Sequence, residues 1–104
     1  MTRRAFILIN VSLGRLDEGI SSSVAVNNIL LSVAKVDGIA LAQSVTGLYD
    51  IIGMIEADSL EEIGDIVTRE IASIPGVESW KVCIGIRSPV GRLANNLVPI
   101  GDSS

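Results

Sequence analysis

Residues 36–57 have the sequence VDGIALAQSVTGLYDIIGMIEA, and this segment decides the predicted fold. Asp37-Gly38 ends a preceding helical pattern, because Gly is common just past a helix C-terminus. Two runs rich in β-branched residues follow, 39–46 and 51–57, and both predict strands. Residues 47–50 form the turn between them. The segment is therefore predicted to be a β-hairpin that follows a helix.

Upstream of the hairpin, residues 4–13 (RAFILINVSL) predict a strand that ends at Gly14. Neither side of this strand is polar, so we predict that both of its faces are buried. The preceding Arg3-Arg4 pair is interpreted as a solvated leader, or else as an anion contact. Residues 24–36 have the apolar spacing of an amphipathic helix. The apolar positions are Val26, Ile29, Leu30, Val33 and Val36.

Downstream, Ser59-Leu60-Glu61-Glu62 has the S-x-x-E form of a capping box and predicts the start of a second helix. Its apolar stripe is Leu60, Ile63, Val67, Ile71 and Ile74. Its polar face is Glu61, Glu62, Asp65, Thr68 and Arg69. Pro75-Gly76 ends the helix, and residues 77–86 predict a fourth strand. Residues 87–104 are rich in Pro, Gly, Asn and Ser, and we interpret them as a tail that is either disordered or docked on a neighbour.

The element order β-α-β-β-α-β predicts one domain over residues 1–86. The tetrapeptide VDGI at 36–39 is echoed by IPGV at 74–77, which suggests two related β-α-β halves. Right-handed crossovers then produce a ferredoxin-like α+β sandwich. Its four-stranded antiparallel sheet has the first and third strands at the centre and both helices on one face.

The third predicted strand is apolar on both sides, although helices can cover only one sheet face. Ile52 and Met54 lie on the side away from Ile51, Ile55 and Ala57. Burial of exposed aliphatic side chains favours association by several kcal/mol before its entropic cost. We therefore predict a dimer that forms through the open sheet face, as in a dimeric α/β-barrel.

Composition excludes several classes of function. A net charge of −4 disfavours a phosphate-binding surface, so we expect no direct nucleic-acid binding. The chain has no His and a single Cys, Cys83, interpreted as a buried hydrophobe or else a redox group. We expect no enzyme, no catalytic residue, no metal site and no cofactor. No apolar run is long enough to span a bilayer, so we expect a cytoplasmic protein without membrane contact.

The hairpin turn carries the groups that could bind a small zwitterion. Gly47 can adopt positive φ and expose backbone N–H groups to a carboxylate, and Asp50 can accept an ammonium group. Thr46 and Tyr49 add hydroxyls. On spacing alone a structural role is preferred, in which Gly47 serves a tight turn and Asp50 bonds to its own turn backbone.

The motifs VDGI (36–39), VTGLYDI (45–51), DSLEE (58–62) and IPGV (74–77), taken in this element order, resemble the effector-binding domain of the Lrp/AsnC family. The resemblance covers residues 5–86. It implies sheet-to-sheet dimers that assemble into larger oligomers and bind free amino acids at contacts between dimers.

The resemblance also implies the effector-binding residues. These are Thr46, Gly47, Leu48, Tyr49 and Asp50 of the hairpin, with Ser79 and Lys81 from the fourth strand of an adjacent dimer. Relatives commonly have a Thr on that strand where this sequence has Trp80 and Val82, which bears on the identity of the effector. Full-length relatives carry a helix-turn-helix domain that residues 1–104 do not contain.

We therefore expect a stand-alone ligand-binding domain that binds a small effector, an amino acid. It would act in transcription regulation through oligomerisation or through association with a full-length Lrp/AsnC regulator. The alternative is a ligand-free structural or heterodimerisation module.

Overall fold

The computed structural model describes residues 2–12, 22–97 and 99. It confirms the predicted order of strands and helices. The elements are β1 Arg3–Val11, α1 Ser22–Ala34, β2 Ile39–Ser44, β3 Ile51–Ala57, α2 Leu60–Asp65 and β4 Val77–Ile84. A π-helical segment, Ile66–Ile71, continues α2, and a 3-10 turn lies at Ala94–Asn96. Among the residues that the structure describes, no helix has both the length and the hydropathy that a membrane crossing requires.

The four strands form one antiparallel sheet in the order β2-β3-β1-β4, which confirms that the first and third strands are central. The β1–β3 register runs from Arg3 opposite Ala57 to Ile9 opposite Ile51. The predicted bounds of β3 are correct, whereas β2 and β4 each end two residues earlier than predicted. Leu13 and Gly14, the predicted end of the first strand, lie outside the described residues.

The covered sheet face packs against the helices and forms the core. Its β1 and β3 residues are Ala5, Ile7, Ile9, Val11, Ile51, Ile55 and Ala57, all buried. The helices contribute Ile29, Val33, Ile63, Ile66, Val67 and Ile71 to the same cluster. Because each strand directs alternate side chains to this face, the core is almost entirely aliphatic.

The opposite side of the sheet, here called the open sheet face, is the side on which neither α1 nor the second helix packs in the described residues. Phe6 is 40% exposed and Leu41 is 51% exposed in the single chain. Cross-strand pairing places Phe6 beside Met54 and Cys83, and Leu41 beside Met54. The prediction that β1 is buried on both faces is therefore wrong for the single chain, because Phe6 on its second face is only partly covered, although Arg4 and the neighbouring Met54 are buried.

Two further predictions are wrong for reasons of position in the sheet. Arg4 is not a solvated leader, because β1 begins at Arg3 and only 2% of Arg4 is exposed. Its guanidinium forms an ion pair with Glu56, its cross-strand partner. Cys83 is exposed rather than buried, because it lies on the edge strand β4 and shares the open sheet face with Phe6.

The second helix begins as predicted but buries a different stripe. The Ser59 side chain accepts a hydrogen bond from Glu62 N–H at 3.0 Å, which confirms the cap. Leu60, expected in the stripe, is the first helical residue and is 50% exposed, whereas Ile66 is buried. Ala72 N–H donates to Val67 O, the i→i+5 pattern of a π-helix. This wider turn brings both Ile66 and Val67 onto the sheet.

The repeated tetrapeptides form equivalent junctions. Gly38 and Gly76 have φ of 100° and 96°, values that favour Gly. A Cβ on Gly38 would lie 2.6 Å from Ile66 Cδ1 of the second helix, and one on Gly76 would lie 2.5 Å from Ile29 Cδ1 of the first. Each glycine thus lets an isoleucine of the other helix pack over its junction, which explains why the motif recurs.

Candidate effector-binding site

The hairpin loop, residues 46–49, projects from the end of the sheet. Val45 N–H donates to Asp50 O at 2.9 Å and closes its base. Leu48 at its tip is 88% exposed. Gly47 has φ 137°, and no described atom lies within 4 Å of the position where its Cβ would be. A ligand can therefore approach the loop backbone at Gly47 without a steric barrier from the residues that the structure describes.

Asp50 is held against the end of β1. Its Oδ2 accepts a hydrogen bond from Val11 N–H at 2.9 Å, and its own N–H donates to Ile9 O at 2.9 Å. The side-chain bond is thus made to a neighbouring strand and not to the turn that contains Asp50. A carboxylate has a second oxygen, so acceptor capacity remains for a ligand.

The structure does not bring the β4 candidates next to the hairpin loop of the same chain. Ser79 pairs with Asn10 and Lys81 pairs with Leu8, and both candidates are exposed. In the strand order β2-β3-β1-β4, β4 lies two strand spacings from β3, roughly 10 Å. One chain therefore supplies two separate surfaces, one at the hairpin loop and one on β4.

A shallow depression of about 530 Å³ adjoins the hairpin loop. Thr46 is the only predicted site residue that lines it. The other lining residues, which sequence reasoning missed, are Ser22, Ser23, Val26, Asn27, Ser44 and Val45. The consecutive serines Ser22 and Ser23 at the start of α1 were the available signal in the sequence.

A wider groove of about 820 Å³ lies at the other end of the sheet, between the end of α1 and the second helix. Its lining includes Asp37, Asp58, Glu62 and Asp65, with Lys35 and Arg69. In the part of the chain that the structure describes, no three His, Cys, Asp or Glu residues are grouped so that they could hold a metal ion. The groove contains none of the predicted site residues.

Solved structures share this fold. TTHA0845 from Thermus thermophilus is 27% identical, with a TM-score of 0.69 over 86% of this chain and 99% of that one. AsnC from E. coli is 20% identical, with a TM-score of 0.69 over 86% of this chain and 54% of that one. The Neisseria meningitidis regulator NMB0573, solved as a complex with L-Met, is 15% identical, with a TM-score of 0.68 over 91% of this chain and 59% of that one.

This chain therefore spans little more than half the length of AsnC and NMB0573. No curated relative matches the sequence significantly. The family profile described as Lrp/AsnC ligand binding domain matches residues 4–94, which include both helices and all four strands except the first residue of β1. The chain belongs to the Lrp/AsnC ligand-binding domain family, whose members are regulatory domains of transcription regulators.

Proposed function

We propose that this domain binds a free amino acid at the hairpin loop and acts in transcription regulation in the cytoplasm. It would do so through its own oligomerisation or by association with a full-length Lrp/AsnC regulator. The observation that carries the proposal is the unobstructed backbone at Gly47 next to the fixed carboxylate of Asp50. These two groups match the two charged ends of an amino acid.

The proposed contacts follow from ordinary hydrogen-bond chemistry. Backbone N–H groups around Gly47 would donate to the ligand α-carboxylate, and Asp50 would accept from its α-ammonium group in a charge-assisted bond. Thr46 and Tyr49 would add hydroxyl contacts, and Leu48 would contact the ligand side chain. The L-Met complex of the structurally similar NMB0573 supports an amino acid as the class of effector.

The pocket would be completed by another dimer. Leu48 is 88% exposed, and Ser79 and Lys81 are exposed on β4. We propose that chains first pair through the open sheet face, and that β4 of an adjacent dimer then supplies these two residues to the hairpin loop. A ligand that bridges two dimers stabilises the assembly that contains it, because it shifts an equilibrium by its differential affinity.

Thermal unfolding in the presence of each of the twenty amino acids tests the proposal. A ligand at about one hundred times its dissociation constant should add roughly 2.7 kcal/mol of stability. The stabilisation should be selective and should disappear in Asp50→Asn, which keeps the size of the side chain but removes its charge. Thr68→Ala is the matched control, because Thr68 is an exposed residue on the second helix.

The alternative is a ligand-free module that pairs with a full-length regulator. The uncovered apolar side chains of the open sheet face favour such pairing as much as they favour self-association. Twenty unchanged unfolding curves, together with retention of an Lrp/AsnC regulator by the immobilised protein, would favour this alternative over effector binding.

A further inference from the structure

The side chain of Asp50 performs a structural task that is separate from ligand binding. The regular β1–β3 pairing reaches Ile9 opposite Ile51, and Val11 lies two residues beyond that pair. β3 begins at Ile51, so no β3 residue lies opposite Val11. Val11 N–H instead donates a hydrogen bond to the Asp50 carboxylate at 2.9 Å. The carboxylate therefore extends the hydrogen bonding of β1 beyond the first residue of β3.

This bond lies at a junction of several chain segments. Asp50 O accepts from Val45 N–H at the end of β2, and Asp50 N–H donates to Ile9 O of β1. The next residue after Val11, Ser12, donates its N–H to Gly76 O at 2.8 Å, immediately before β4. Asp50 thus links the base of the hairpin loop to the end of β1, which is itself bonded to the entrance of β4.

We infer that Asp50 is a positioning residue that uses its two carboxylate oxygens for two different purposes. Oδ2 fixes the hairpin loop to Val11, and Oδ1 is left for the ammonium group of the effector. The second role rests on the proposed function, whereas the first role holds without any ligand. The loop is presented to a ligand in one orientation because the first oxygen is already engaged.

Two substitutions separate these roles. Asparagine keeps a carbonyl oxygen that can accept from Val11 N–H, but it carries no negative charge for an ammonium group. Alanine removes both functions. Loss of ligand response in Asp50→Ala alone would therefore not identify Asp50 as a ligand contact, since the loop would also lose its attachment.

Amide hydrogen exchange without added amino acid tests the positioning role. Exchange of the Val11 amide should be at least about tenfold faster in Asp50→Ala than in the wild-type protein, because a hydrogen bond to a charged group is lost. In Asp50→Asn it should stay close to the wild-type rate. Asp65→Ala, which removes an exposed carboxylate from α2, should leave the Val11 rate unchanged. Equal Val11 rates in wild-type and Asp50→Ala would overturn the positioning role.

The same variants are then titrated with each of the twenty amino acids. Where one of them stabilises the wild-type protein, Asp50→Asn should lose that stabilisation while it retains slow exchange at Val11. A full response in Asp50→Asn would overturn the role of the second oxygen. If no amino acid stabilises the wild-type protein, the proposed function fails, yet the exchange rates still decide whether Asp50 positions the loop.

Discussion

The two faces of the sheet come from the same four strands but differ in what lies on them. On the covered sheet face, Ile7, Ile9, Ile51 and Ile55 are completely buried by the helices of the same chain. On the open sheet face, the neighbouring Phe6 keeps 40% of its surface exposed. Alternation along one strand thus sends successive side chains either into the core of the chain or to a face that helices do not cover.

The open sheet face also differs in its distribution of charge. Phe6, Leu8, Leu41, Ile52 and Met54 form an apolar centre. The Arg4–Glu56 pair lies toward one end, and Asn10 and Ser79 lie toward the other, whereas Lys81 lies beside Leu8 on the edge strand β4. An apolar centre with a polar rim is the usual composition of a protein interface. The covered sheet face should therefore control the free energy of unfolding, whereas the open sheet face should control assembly.

The largest effect on unfolding is expected from Ile7→Ala on the covered sheet face. Ile7 is fully buried, and Gly53 on β3 lies directly against it. Removal of three carbons should leave a cavity and lower the free energy of unfolding by about 2 to 5 kcal/mol. Chemical denaturation measures the loss.

Leu8→Ala is the matched control for Ile7→Ala, because Leu8 is the next residue on β1 and belongs to the open sheet face. At a protein concentration where the chain is monomeric, Leu8→Ala should lower the free energy of unfolding clearly less than Ile7→Ala does. Equal losses at both positions would mean that the two faces contribute alike to the folding of one chain, contrary to the comparison above.

An intermediate decrease in the free energy of unfolding is expected from Glu56→Gln. Glu56 accepts from Arg4 Nε at 3.1 Å, and Arg4 is almost completely buried. The neutral amide would remove the charge that Glu56 places beside the guanidinium, at a cost of about 1.5 to 3 kcal/mol. Denaturation of this variant is compared with that of Glu61→Gln, an exposed change on α2 that should cost little. A Glu56→Gln variant as stable as Glu61→Gln would show that the ion pair contributes no net stability.

Most of the fold was predictable from local patterns. The positions of β3 and of the Ser59 cap depend on short-range features, namely two-residue alternation and the S-x-x-E spacing. The strand order follows from the crossover rule once the element order is known. These features depend on a few neighbouring residues, so one sequence is enough to predict them.

The errors and omissions arise from contacts between residues far apart in sequence. The burial of Arg4 depends on Glu56, and the exposure of Cys83 depends on its place on an edge strand. The bond from Val11 to Asp50 joins residues 39 positions apart. For the site, the open geometry of Gly47 was predictable as a turn, but the attachment of Asp50 to β1 was not. The assignment of the effector-binding residues stays a prediction.

The smallest effect on unfolding, with the largest effect on assembly, is expected from Phe6→Asp. A carboxylate in the apolar centre of the open sheet face would have to be buried in a face-to-face dimer, which is costly without a partner charge. Sedimentation should show the mass falling toward the 10.9 kDa of a single chain. The unfolding free energy of the isolated chain should fall by less than in Ile7→Ala, because Phe6 is only partly buried whereas Ile7 is completely buried. Leu31→Asp, a change at a somewhat more exposed apolar position on α1, should leave the mass unchanged. If Leu31→Asp dissociates the assembly and Phe6→Asp does not, chains associate through the helices, and the open sheet face must be covered by something other than a second copy.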